Sequence, residues 1–172
     1  MVYRGVDLEN IERFRVHRGS LGAGDHELIG VASRLVYDKA VDHALRAFAL
    51  VSDRRPWLNL EVIGSGEEEV ALRKLAANLN LSERMTFAGQ LSHEETLAAV
   101  ARYSVLVMPS LSVNEFYPNI MKEAMALRVP CVAYDLPGIR AFSISGGEVC
   151  LVKPGRIEQL AQRIFDILED EE

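Results

Sequence analysis

The chain has 172 residues, 49% of them hydrophobic and 26% charged, which is enough apolar material for one domain with a sizeable core and too much for a disordered segment. Its formal net charge of -6 argues against non-specific nucleic-acid binding through a broad basic surface. No apolar run approaches the length of a membrane span and no signal-peptide pattern opens the sequence, so a cytoplasmic location is expected.

Residues 1–25 read as an irregular linker or N-terminal extension, and 26–172 as one folded domain. Leu28 to Ser33 is a buried strand, and Asp38 to Val51 an amphipathic helix with Val41, Ala44, Leu45, Phe48 and Val51 on one face. Leu58 to Gly64 is the next strand, closed by Gly64-Ser65-Gly66. A helix over 67–79 follows, its acidic first turn suited to the helix dipole. Met85 to Ala88 is a short strand, and Ser92 is an N-cap for a helix reaching about Tyr103. Strand 104–108, a polar turn and helix 118–127 come next. Strand 130–134 leads to a loop around Pro137-Gly138, and strand 148–152 to a last helix from about Ile157 to Leu168.

Six strands alternating with helices, each strand a near-continuous Val/Ile/Leu run, predict an α/β fold with a Rossmann-like parallel sheet covered on both faces. Ligands in such sheets bind at the carboxyl ends of the strands. The turns 33–39, 64–67, 89–93, 110–119 and 135–139 are therefore the candidate site.

Arg34 and Lys39 lie five apart in the first of these turns, and two cations there suit a diphosphate. The alternative is surface pairing with Asp38 or Asp42. Gly64 and Gly66 permit close backbone approach to a ligand, or simply end a strand. The dinucleotide fingerprint is absent, since Glu69 stands where its last glycine would be, so a nicotinamide or flavin enzyme is disfavoured. Glu115 and Glu123 stand eight apart, one in the turn and one in the helix beginning at Pro118. Carboxylates so placed can accept hydrogen bonds from sugar hydroxyls, while a helix start attracts anions. The competing readings are a capping acid for Glu115 and, for Glu123, a helix-edge partner of Lys122 or Arg128. Ser92 and His93 either line a base pocket or are solvated. Cys131 and Cys150, each inside an apolar run, are expected to be buried free thiols. His17, His26, His43 and His93 are scattered, and no Cys or His pair has metal-ligand spacing, so no metal is expected.

Ordered motifs across nearly the whole chain resemble one family. Gly5-Val6-Asp7 with Phe14 is similar to an interdomain-linker entry, Ser33-Arg34-Leu35 with Lys39 to "GRL…K", and Val62-Ile63-Gly64-Ser65-Gly66 to "IVGdGp". Thr86-Phe87-Ala88-Gly89 is similar to "vxFxG", and Pro109-Ser110 with Glu115 and Glu123-Ala124-Met125-Ala126 to "PS…E-x7-E-A-M-A". Pro130-Cys131-Val132-Ala133 and Gly138-Ile139 are similar to "PVVA…GI". The sequence thus resembles the C-terminal, donor-binding domain of GT-B glycosyltransferases of the retaining family 4. The resemblance implies a nucleoside-diphosphate sugar donor, transfer with retention, no cofactor and no metal. It implies that Arg34 and Lys39 hold the diphosphate, Glu115 the sugar and Glu123 the ribose. Backbone groups of Tyr117, Pro118, Asn119 and Ile120 would approach diphosphate and sugar, with Gly64, Gly66, Leu91, His93 and Phe116 completing the donor site. Arg34, Lys39 and Glu115 would be the catalytic set. Departures are Phe116 after the first Glu and Ala40 after Lys39, both usually glycine, and Ala141 for an acid. The expected partner is an N-terminal acceptor-binding domain not present in these residues, which would also make any membrane contact. The alternative is a stand-alone module that binds a nucleotide sugar without catalysis.

Overall fold

The computed structural model describes residues 11–14, 27–115, 118–144 and 149–170. Strands β1 (Leu28–Ala32), β2 (Asn59–Ile63), β3 (Met85–Gly89), β4 (Val105–Met108), β5 (Cys131–Tyr134) and β6 (Val149–Val152) form one parallel sheet in the order β3-β2-β1-β4-β5-β6. Helices α1 (Val41–Ser52), α2 (Glu69–Asn78), α3 (His93–Val100), α4 (Asn119–Ala126), α5 (Pro137–Ile144) and α6 (Ile157–Asp170) connect or follow them. The predicted Rossmann-like architecture is the one observed.

The alternation of strand side chains explains two cores. Ile29, Val31, Leu60, Val62, Val105, Val107 and Val132 point to one face, against the apolar stripes of α1 and α6 and Leu72 and Ala76 of α2. Ala32, Ile63, Leu106, Met108, Cys131 and Ala133 point to the other, against Leu97 and Val100 of α3 and Met121 and Ala124 of α4. Gly30 has no side chain because the Tyr103 ring lies on β1 there; a Cβ would stand 1.8 Å from Tyr103 Cε2. The Tyr103 hydroxyl donates to Glu61 Oε2 at 2.7 Å, which satisfies a polar tip inside this core.

Three expectations change. The loop at Pro137-Gly138 is the first turn of α5: Pro137 has the fixed φ of a helix start, and the Leu136 carbonyl accepts from the N–H groups of Ile139 and Arg140. The linker holds a helical turn at 11–14, where Phe14 N–H donates to the Ile11 carbonyl and Ile11 is buried in the second core. The rest of the linker, and with it the Gly5-Val6-Asp7 motif, lies outside the described residues. Cys131 is buried, but Cys150 is half-buried; both are free thiols, and burial pushes the Cys131 thiol up to about 12.

Candidate active site

The strand order reverses between β1 and β4. Chain leaving β1 runs to α1 on one side of that boundary, and chain leaving β4 runs to α4 on the other, which opens a crevice at their carboxyl ends. A cavity of about 540 Å³ occupies it, lined by Val31–Arg34, Lys39, Val107–Ser110, Glu115 and Pro118–Ile120. That volume lies in the range of small-molecule sites, roughly 300–1,000 Å³.

The turn after β1 is short because β2 holds it from behind. Ser33 N–H donates to the Ile63 carbonyl at 3.1 Å and Leu35 N–H to the Ser65 carbonyl at 2.9 Å. Gly64 adopts φ +127°, and a Cβ there would stand 1.9 Å from the Ser33 carbonyl oxygen; one on Gly66 would stand 2.2 Å from that of Leu35. The close approach that these glycines permit is therefore to the Arg34-bearing turn itself. Arg34 is exposed at the cavity wall. A 3-10 turn, Tyr37–Lys39, then reverses the chain through Ala40 at φ 46° and into α1. A glycine would adopt that left-handed backbone with less strain, which gives the usual residue at this position a physical reason.

Lys39 Nζ forms an ion pair with Glu115 Oε2 across the crevice, and the side chains are only 16% and 13% exposed. The surface pairing of Lys39 with Asp38 or Asp42 is thus not what the structure shows; Asp42 instead lies 3.8 Å from Arg46. Ser110, buried at the end of β4, donates to the same Glu115 oxygen at 2.9 Å and accepts from Ser112 N–H at 3.3 Å. Leu111 N–H donates to the Asp38 carbonyl at 2.8 Å, which ties the loops after β1 and β4 together. Ser110 was legible in the sequence only as part of a motif; its hold on Glu115 comes from the loop closing back on itself. Lysine has three donors, so Lys39 can keep Glu115 and still reach an anion.

Glu123 sits one turn into α4, beyond Asn119 and Ile120, and does not line the cavity. Its carboxylate is 12% exposed and pairs neither with Lys122 nor with Arg128 but with His93, Nε2 to Oε1 at 2.8 Å. His93 is the first residue of α3, after the N-cap Ser92, and is 62% exposed. Leu91 packs against the second core. The structure therefore brings Arg34, Lys39, Glu115, Pro118, Asn119 and Ile120 to one cavity, sets Gly64 and Gly66 against the turn that carries Arg34, and leaves Leu91, His93 and Glu123 outside the cavity lining. Phe116 and Tyr117 lie outside the described residues. Among the described residues no group of three or more His, Cys, Asp or Glu stands together to hold a metal ion, and no helix is long and apolar enough to cross a membrane.

Comparison with known proteins bears on the fold and the family. The solved structure of Anabaena HepE in complex with UDP-glucose superposes with a TM-score of 0.80 at 24% identity, over 99% of this chain and 48% of that one. The D-inositol 3-phosphate glycosyltransferase of Streptomyces avermitilis is 31% identical over 186 residues, covering 99% of this chain and 39% of that protein. The 2-deoxystreptamine glucosyltransferase of Streptomyces kanamyceticus is 29% identical over 143 residues, 83% of this chain and 36% of its own length. An exopolysaccharide phosphotransferase of Streptomyces coelicolor is 38% identical over 141 residues, which are 80% of this chain but 14% of that protein. The chain thus spans well under half the length of these curated relatives. The family described as "Glycosyl transferases group 1" matches residues 13–172, and the chain belongs to that family.

Proposed function

We propose that this chain is the donor-binding half of a retaining, family 4 glycosyltransferase that takes a nucleoside-diphosphate sugar. The observation that carries the reading is the crevice between β1 and β4, where Arg34, Lys39 and Glu115 converge from two loops on one cavity. Two cations beside a carboxylate suit a ligand that is anionic at one end and hydroxylated at the other. Arg34 and Lys39 hold the diphosphate and neutralise the charge that grows on it as the glycosidic bond breaks. Glu115, steadied by Lys39 and Ser110, accepts hydrogen bonds from sugar hydroxyls. Glu123 accepts from the ribose. The start of α4 offers the backbone N–H groups of Asn119 and Ile120 to the diphosphate and sugar. The two cations supply the charge that a divalent ion would bring, so the reaction needs neither metal nor cofactor. The acceptor, a growing polysaccharide or other glycoconjugate, is held by an N-terminal domain facing this one across the cleft, in the cytoplasm.

A pair of substitutions tests the division of labour. Glu123→Ala should weaken a plain nucleoside diphosphate and the corresponding nucleotide sugar alike. Glu115→Ala should weaken only the nucleotide sugar. A hydrogen bond to a charged group contributes about 1.5–3 kcal/mol, so each loss should be roughly tenfold or more in calorimetric titrations. With folding verified by circular dichroism, equal loss of both ligands in both variants would overturn these assignments.

A further inference from the structure

We propose that His93 is a positioning residue that acts through Glu123: its Nε2–H holds Oε1 and so presents Oε2 to the ribose hydroxyls of the donor. The inference rests on the assignment of Glu123 to the ribose and deepens it.

Three observations carry the step. The Glu123 carboxylate is mostly buried, and a buried carboxylate needs a donor; His93 supplies it at 2.8 Å. An ionised carboxylate only accepts, so the proton of this bond sits on Nε2. His93 is 62% exposed and has water available to it, so the bond serves Glu123 more than it serves the imidazole.

The imidazole is also held for this task. A capping box fixes the backbone at the head of α3: Glu95 N–H donates to Ser92 Oγ at 3.3 Å, and Ser92 N–H donates to Glu95 Oε2 at 2.8 Å. The two acids that follow His93 are engaged elsewhere, Glu94 by Arg13 and Glu95 by the Ser92 backbone. Neither competes for the imidazole, so its acidic partner is the one on α4. Two consecutive helices, α3 and α4, thereby meet at a single carboxylate.

The test is a calorimetric titration of the purified chain with UDP, GDP and ADP, the tightest of which is then compared with its 2′,3′-dideoxy counterpart. Glu123→Gln should cost about tenfold in affinity for the ribonucleotide and leave the dideoxynucleotide within twofold. His93→Ala should reproduce the same selectivity at roughly three- to tenfold, and the double variant should bind no more weakly than Glu123→Gln alone. His93→Gln or His93→Asn, which keep a donor, should recover part of the loss. A purely structural role would weaken both nucleotides alike and lower the melting temperature with them. If Glu123→Gln is ribose-selective and His93→Ala is not, the positioning role is wrong while the ribose assignment stands. If Glu123→Gln itself shows no ribose selectivity, the ribose assignment falls, and this inference with it.

Discussion

Gly64→Ala should damage the fold and the diphosphate turn together. The added methyl carbon would start 1.9 Å from the Ser33 carbonyl oxygen, on a residue at φ +127°. The contacting atom is backbone, in a turn hydrogen-bonded to β2 and to the Gly64-Ser65-Gly66 segment, so it cannot rotate away as a side-chain tip would. Overpacking costs about 1–3 kcal/mol and a strained backbone about 1–3 more, giving roughly 2–6 kcal/mol in total. In a domain of this size each kcal/mol lowers the melting temperature by about 2–4 °C, so a fall of roughly 4–24 °C is expected in a thermal scan. The relief is to push Ser33 and Arg34 outward, so nucleoside-diphosphate affinity should drop in the molecules that stay folded. Arg34→Ala is the control: its side chain is exposed, so it should weaken the ligand without moving the melting temperature. A Gly64→Ala variant with unchanged melting temperature and affinity would refute the argument that β2 shapes the phosphate turn.

Gly30→Ala should destabilise the domain by a comparable amount, because its methyl would enter the Tyr103 ring; combining it with Tyr103→Leu should recover part of the loss, read by chemical denaturation. Tyr134 should titrate well above an ordinary tyrosine, at about 12, pushed up first by burial and then by Asp42 and Glu158 against a lowering hydrogen bond from the Gly155 backbone. The folded state then keeps a proton that the unfolded chain releases from about pH 10 upward, so this contribution to stability is intact below pH 10 and falls as pH rises towards 12. Ultraviolet titration of the phenol with Tyr134→Phe as reference checks it: the folded protein should show one late-ionising tyrosine fewer in the variant.

Much of the fold was readable because a parallel sheet buried on both faces writes itself as continuous apolar strands, as in Val105–Met108 and Cys131–Tyr134. Ser92 was readable as a cap because capping is local, its partner lying three residues away. Helix α5 was not, since Pro137-Gly138 has the composition of a turn and only the tertiary placement of Leu136 shows that the proline starts a helix. Site membership was legible as a set of turns, but the pairings within it were not. Lys39 meets Glu115 across 76 positions and His93 meets Glu123 across 30, distances over which neither periodicity nor composition speaks. Gly64 and Gly66 looked like residues that approach a ligand; the close approach was real, and its object was the neighbouring backbone.

The central claim is that the crevice at Arg34 and Lys39 holds a nucleoside diphosphate by its charge, without a metal. Its most direct test is calorimetric titration of UDP, GDP and ADP into the chain and into Arg34→Ala/Lys39→Ala, each with magnesium and with EDTA. Charge-assisted contacts contribute about 1.5–3 kcal/mol each, so the double variant should lose at least tenfold in affinity for whichever nucleotide binds, and EDTA should change nothing. Undiminished affinity in the folded double variant, or binding that vanishes with EDTA, would contradict the account.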